Sequence, residues 1–468
     1  TNPGETIEIV VDLENYIPWS NATNLEVVLD SPNNDIEISD NIFEINFLSA
    51  GSTFSNTNSP FTIDIANDID LGVYTLTVSI VGENYYVAHD LDIEVSLKQA
   101  GFPFINIEAI ESSPITVDRD GDGKLEIYYG DYGGIVHGLD YLGQPISGFP
   151  IQLDGANNDI WASPSIDDLD LDGHSEIVIN SKNGHLYVID LYGNIELDID
   201  LDDYLMGSPA LGDIDGDGVN EIVISTYASS GKVYAINYDG SFVPGFPVDI
   251  DEKVLRGAAL YDFNNNGKDD IVIATESDDN IILIYDNASF EILFTAGNKF
   301  KSAPNIALIN NQPIIFAGSD DDHMYGIYSN GELAINIDTG SNIRTSTAFM
   351  NTNQGVNIFF GSSNGRFYGV DSNGNNLPGW PIELGGNITT SPIVCDIDGD
   401  GTSEIFVGTS DLFYGFNESG LPLPFFPIDS DVGILGSSFA ADIDNDGDQE
   451  IFFGANTQLY GIDIKTNS

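Results

Sequence analysis

Positive charge is scarce in this chain. Against 75 Asp and Glu there are 13 Lys and Arg, and the formal net charge is −62. Affinity for nucleic-acid phosphates rests on Lys and Arg, so nucleic acid is a poor partner, and an anionic membrane surface is disfavoured for the same reason. Cysteine is scarcer still. Cys395 is the single one, which excludes an intramolecular disulfide framework, and its apolar neighbours mark it as a buried structural thiol. No apolar run reaches the ~18 residues of a membrane-spanning helix, so no membrane insertion is expected. No apolar leader precedes Thr1, and the chain reads as a mature or trimmed product. No Ser/His/Asp order or phosphate-cradling glycine loop stands out.

Apolar material is not scarce. Hydrophobic residues make up 41% of the chain, with 26 Phe and 21 Tyr, which separates it from acidic disordered chains. At 468 residues it is too long for one small domain.

The most informative stretch is residues 213–221, with carboxylates at positions 1, 3, 5 and 9 of a short loop (Asp213, Asp215, Asp217, Glu221) and Gly218 at position 6. Near-copies recur at 118–126, 168–176, 396–404 and 442–450, and a weakened one at 262–270. Anionic oxygens so crowded repel one another unless a cation sits among them. Ca²⁺, a hard ion taking 6–8 oxygens in flexible geometry, fits that donor set. Calcium sites of this kind point to an extracellular setting, where metal stands in for disulfides.

Residues 1–97 lack such loops. Short alternating segments, punctuated by Pro, Asn, Asp and Gly, predict an all-β immunoglobulin-like sandwich. The segment resembles the Ig-like (CARDB-like) spacer domains of large secreted bacterial proteins, through Pro3, Gly4, Glu5 and Thr6, then Glu14, Asn15 and Tyr16. From residue 98 a repeat takes over. Its units start at Ser113, Ser163, Ser208, Gly257, Ala303, Thr347, Ser391 and Ser437, and each carries four apolar runs, the fourth often opening Gly-Phe-Pro. A spacing of about 45–50 residues suits a four-stranded propeller blade. The last unit lacks its fourth run, and residues 101–111 are a fourth run without a unit. The two ends are expected to complete one blade and close an eight-bladed β-propeller over 98–468.

The Asp-x-Asp-x-Asp-Gly-x-x-Glu loops, the Ile-Val-Ile runs after them and the Gly-Phe-Pro openings resemble the FG-GAP/VCBS repeat family, found in integrin alpha-subunit propellers and many secreted bacterial proteins. The resemblance implies calcium at the turn between strands 1 and 2 of a blade. The ligand sets it implies are Asp118, Asp120, Asp122 and Glu126; Asp168, Asp170, Asp172 and Glu176; Asp213, Asp215, Asp217 and Glu221; Asp396, Asp398, Asp400 and Glu404; and Asp442, Asp444, Asp446 and Glu450. Position 7 adds a backbone carbonyl, from Lys124, His174, Val219, Thr402 and Asp448. In the fourth unit Asp262, Asn264, Asn266, Lys268 and Asp270 form a weaker set, because amides lower the charge. Units five and six have no acidic pattern, and no calcium is expected there.

The calcium loops read as structural, each tying two strands of its own blade. The scarce cations gather instead in the connections expected on the opposite face: Lys253, Arg256, Lys299, Lys301 and Arg344, with Arg366 between strands 2 and 3. Trp161 and Tyr204 fall in the same class of connection. Such an arc suits an acidic glycan or a carboxylate-bearing peptide, whereas the plainer reading has these cations paired with the surplus Asp and Glu. The turn at Asp320, Asp321, Asp322 and His323 reads as a solvated acidic turn before a transition-metal site. The units vary little in length, which favours a non-catalytic extracellular binding or adhesion module over an enzyme. Two alternatives stand beside it. One is a polysaccharide lyase resembling the rhamnogalacturonan lyases; the other is the C-terminal region, or a surface-assembly subunit, of a larger secreted protein such as a protease.

Overall fold

The computed structural model describes residues 1–17, 19–83, 85–430 and 432–464. Every regular element among them is a β-strand. The chain divides into two compact units, one of residues 1–99 with 462–468 and one of residues 100–461.

In the first unit a four-stranded sheet runs in the order Ile42–Leu48, Ala22–Asp30, Gly72–Gly82, Tyr85–Val95. A three-stranded sheet runs Thr6–Ile9, Phe61–Ile65, Ile36–Asp40, and a two-stranded ribbon joins Asp12–Glu14 to Thr53–Ser55. Alternation decides the core. Leu25, Val27 and Leu29 of one sheet bury against Phe61, Ile63 and Ile65 of the other, while the residues between them face outward.

The second unit contains eight four-stranded antiparallel sheets. In each, the two middle strands are almost wholly buried, as in Glu176–Asn180 and Asn280–Ile284. Such strands cannot show period-2 alternation, because neighbouring sheets cover both faces. That is why the sequence runs Ile-Val-Ile there. Seven sheets use consecutive strands. The eighth is drawn from both ends, with Phe104–Ile105 pairing with Gln458–Ile462, next to Glu450–Ala455 and Phe439–Ala441. The first and last repeats are also neighbours, since Leu125 N–H donates to Ile443 O at 2.9 Å.

Close approach welds the sheets together. A Cβ on Gly130, Gly318 or Gly361 would fall 2.4 Å from the Cγ2 of Ile160, Ile343 or Ile388, which lies in the connection that follows. The start serines contribute as well. Ser113 N–H donates to Ser163 Oγ (2.8 Å), Ser163 N–H to Ser208 Oγ (2.9 Å) and Ser391 N–H to Ser437 Oγ (3.1 Å). In the sixth unit the equivalent residue is Ser346, whose N–H donates to Ser391 Oγ (2.9 Å), so that unit starts one residue before Thr347. These hydrogen bonds between neighbouring repeats, which the sequence does not display, mark the shared register of their starts.

Candidate functional site

Six loops, at 118–126, 168–176, 213–221, 262–270, 396–404 and 442–450, join the first two strands of their sheets and share one hydrogen-bond plan. The carboxylate at position 1 accepts the N–H of the position-6 glycine, from Asp118 with Gly123 (3.0 Å) to Asp442 with Gly447 (3.2 Å). The carboxylate at position 9 accepts the N–H of position 2, as Glu221 does from Ile214 (2.7 Å). In all six loops position 5 caps position 7, as Asp217 accepts Val219 N–H (2.8 Å) and, in the fourth loop, Asn266 accepts Lys268 N–H (2.9 Å). Glycine at position 6 is required by conformation. Gly218 has φ +89°, and a Cβ there would meet nothing within 4 Å. Position 4 is left-handed too, held by Gly121, Leu171, Gly216, Asn265, Gly399 and Asn445. The sequence hides this second requirement because three residue types fill it.

Five loops bring together groups positioned to hold a metal ion. One oxygen each from Asp118, Asp120 and Asp122 lie within 4.8 Å of one another. So do oxygens of Asp168, Asp170 and Glu176; of Asp213, Asp215 and Glu221; of Asp396, Asp398 and Glu404; and of Asp442, Asp444 and Glu450. The donor set is all oxygen and all anionic, which suits a hard divalent cation. Asp396 Oδ1 is buried with no hydrogen-bond partner, an orphaned acceptor that a cation satisfies. Burial first, and then the charge of the neighbouring Asp residues, pushes the carboxyls of Glu176, Glu221 and Glu404 up to about 7. A bound divalent ion reverses that preference by stabilising the carboxylate form.

The 262–270 loop departs from this pattern. Asn264 Nδ2 donates to both oxygens of Asp270 (3.4 and 3.3 Å), so an expected ligand faces its neighbour as a donor. Lys268 Nζ lies 3.9 Å from Asp286. In units five and six the chain turns in two residues instead. Asn310 and Asn311 (φ 54° and 62°) link Asn305–Ile309 to Gln312–Gly318, and Asn353 and Gln354 link Ala348–Thr352 to Gly355–Gly361.

A second feature lies where the connections between successive sheets converge. All eight repeats line one cavity of ≈330 Å³, to which Glu111, Trp161, Met206, Arg256, Arg344 and Leu435 contribute side chains. Of the residues in the expected arc, the structure brings Trp161, Arg256 and Arg344 to this cavity, whereas Tyr204, Lys299, Lys301 and Arg366 do not line it. Three cations of the arc are neutralised locally. Arg344 pairs with Asp320 through two hydrogen bonds (2.8 and 3.0 Å), Arg366 with Glu383 (2.7 Å) and Lys301 with Glu276 (3.4 Å). Arg366 opens the strand Arg366–Val370 and reaches across to its neighbour Ile382–Glu383. Arg256 has no ion pair among the described residues; its Nε donates to Lys301 O (3.4 Å). Trp161 stacks on Tyr132 at 5.4 Å, and Lys182 Nζ sits 5.0 Å over its ring. Burial raises the Glu111 carboxyl, an effect that Arg256 opposes.

Elsewhere, Cys395 is buried and burial pushes its thiol up, which leaves it inert. Beside the Asp320 turn, His323 Nδ1 lies 2.9 Å from Asp321 O, an ordinary turn contact.

The sheets and the loops together define an all-β protein whose second unit has a β-propeller-like fold. The FG-GAP-like repeat model matches residues 213–273, which span the third and fourth loops and the strands between them. No curated protein matches the sequence. Among solved structures the chain is similar to Sqt1 from Saccharomyces cerevisiae (13% identity, TM-score 0.60, covering 79% of this chain and 100% of that one). It is similar to a europium-containing methanol dehydrogenase (11%, TM-score 0.57, 76% and 85%) and to BamB from Moraxella catarrhalis (15%, TM-score 0.53, 76% and 98%). At these identities the likeness speaks for the fold alone.

Proposed function

We propose that this chain is an extracellular ligand-binding module: an Ig-like domain followed by an eight-bladed propeller that five calcium ions rigidify. In this reading the 262–270 loop is a weaker sixth site. The ions brace the strand 1–2 turns, and the ligand, an acidic glycan or a carboxylate-bearing peptide, enters the cavity on the side away from them. The module acts by adhesion, with no reaction of its own.

One observation carries the proposal. In a chain with 75 carboxylates, Arg256 has no ion pair among the described residues, and it lines the cavity to which every repeat contributes. A guanidinium without an ion pair, its nearest acidic influence the Glu111 of the same cavity, offers a planar fork to a carboxylate, and Trp161, which lines the same cavity, offers a ring face to a sugar or a side chain.

Calorimetric titration of the calcium-loaded chain with oligogalacturonates and with glutamate-rich peptides tests this. Binding that drops by about tenfold or more in Arg256→Ala supports the site. Equal binding by the variant refutes it. Absorbance from an unsaturated uronide during the same incubation would establish a polysaccharide lyase and overturn the non-catalytic reading.

A further inference from the structure

The first unit has a feature that the ligand cavity does not involve. At the end of its four-stranded sheet opposite Val95, aromatic rings stand open to solvent. Trp19 is 61% exposed and Tyr85 42%, with Phe47 and Tyr16 exposed in the same region of the unit. Pairing explains part of this. Thr23 is level with Phe47 and Gly82 with Tyr85, both on the side of the sheet that carries the core residues Leu25 and Val27. On that core-facing side Phe47 and Tyr85 are nevertheless exposed. Trp19 stands over Tyr85 with ring centroids 6.4 Å apart and planes at 86°. Two rings at a right angle form a corner, unlike the coplanar faces that a flat sugar platform presents.

The corner is braced. Asn15 Nδ2 donates to Leu48 O (3.0 Å) and Ser20 O (3.1 Å), which ties both ends of the loop bearing Trp19 to the sheet. Trp19 N–H donates to Tyr16 O (2.9 Å).

Charge selects the occupant. Residues 1–97 hold seventeen Asp and Glu and no Lys or Arg, and Glu83 lies two positions before Tyr85. Lys98 is held by Glu94 at 3.0 Å, and Lys465 lies outside the described residues. In the second unit the chain fills comparable places with its own cations: Lys124 Nζ lies 3.6 Å from the Tyr141 ring centre, Arg119 4.5 Å from Tyr192, and Lys253 Nζ 5.1 Å from Tyr227. Among the described residues no cation stands over Trp19 or Tyr85. A negative field around two perpendicular ring faces repels acidic glycans, anionic lipids and a second copy of this chain, and it attracts ammonium.

We infer that the Trp19–Tyr85 corner is a binding site for the ammonium groups of a lysine-bearing basic polypeptide. Its rings contact the cation, and the surrounding carboxylates raise its local concentration. This site is separate from the cavity at Arg256 and takes ligands of opposite charge.

The test titrates hexalysine into the full calcium-loaded chain at about 0.15 M salt, where diffuse attraction is screened beyond a Debye length of about 8 Å. Hexa(Nε-acetyl-lysine) and cellohexaose are run beside it. The expected result is binding of hexalysine alone, weakened about tenfold in Trp19→Ala and in Tyr85→Leu but by no more than about threefold in Trp19→Phe or Arg256→Ala. Thermal melts of each variant, matching those of the parent, exclude misfolding as the cause. Three results overturn the inference. They are no hexalysine binding, hexalysine binding that is indifferent to both ring removals, and cellohexaose binding that depends on Trp19, which would make the corner a neutral-sugar site.

Discussion

Withdrawing metal and raising pH act on the same three side chains, so the acidic loops invite a combined perturbation. Glu176, Glu221 and Glu404 are buried beside Asp carboxylates, and their carboxyls move from 4.5 to about 7 on folding. A folded value above the unfolded one means that the metal-free fold prefers the protonated acid. The handicap is therefore absent below pH 4.5, accumulates as pH rises to about 7, and is complete above it. Moving a carboxyl from 4.5 to about 7, at about 1.36 kcal/mol for each tenfold change in proton affinity, sets an upper bound of roughly 3 to 4 kcal/mol per site, which solvent screening reduces. Calcium removes the handicap by holding the ionised form, so the stabilisation it gives should grow with pH over this interval. The assay is calorimetric melting of metal-stripped and calcium-loaded protein between about pH 5 and about pH 8, with Glu221→Gln as the internal control. Metal-free wild type should lose melting temperature as pH rises. Metal-free Glu221→Gln should lose less, by the equivalent of one proton, and should bind one calcium fewer. Equal pH slopes for the two metal-free proteins would refute the reasoning, because general charge repulsion in a chain of net charge −62 acts on both alike.

Other expectations follow from single contacts. Leu171 sits at φ +60° in a position that glycine fills in three of the other loops, so Leu171→Gly should raise stability by about 1 kcal/mol in urea unfolding. Gly361→Ala places a methyl 2.4 Å from Ile388 Cγ2 and should cost roughly 1–3 kcal/mol, read as a lower denaturation midpoint with unchanged slope. Asp131 is fully buried and accepts hydrogen bonds from Asn106 Nδ2 (2.9 Å) and from the N–H groups of Gly133 and Ile135, with His137 Nε2 at 2.9 Å. Asp131→Ala strands these groups and should cost on the order of 3 kcal/mol or more. Hydrogen exchange in that variant should rise first at 104–106, the segment that closes the eighth sheet.

Much of the loop chemistry was legible because it depends on short spacing. Carboxylates at 1, 3, 5 and 9 with glycine at 6 meet within one turn whatever the rest of the chain does. The second left-handed position escaped notice because Gly, Asn and Leu171 all occupy it. The repeat starts were read correctly except at Thr347, where Ser346 makes the hydrogen bond; Ser and Thr adjoin there, and only the partner Ser391 distinguishes them. The cation arc fared differently. Sequence placed most of its members in like connections, but their neutralisation by Asp320, Glu383 and Glu276 depends on residues 24, 17 and 25 positions away.

What the sequence determined by itself is therefore local and periodic: strands, turns, the acidic loops and the count of repeats, each set by residues close together in the chain. What tertiary structure alone decided is which charges remain uncompensated. Arg256 and the Trp19–Tyr85 corner differ from their neighbours in what surrounds them in space, and electrostatic pairing and ring geometry depend on distance, which sequence separation does not encode.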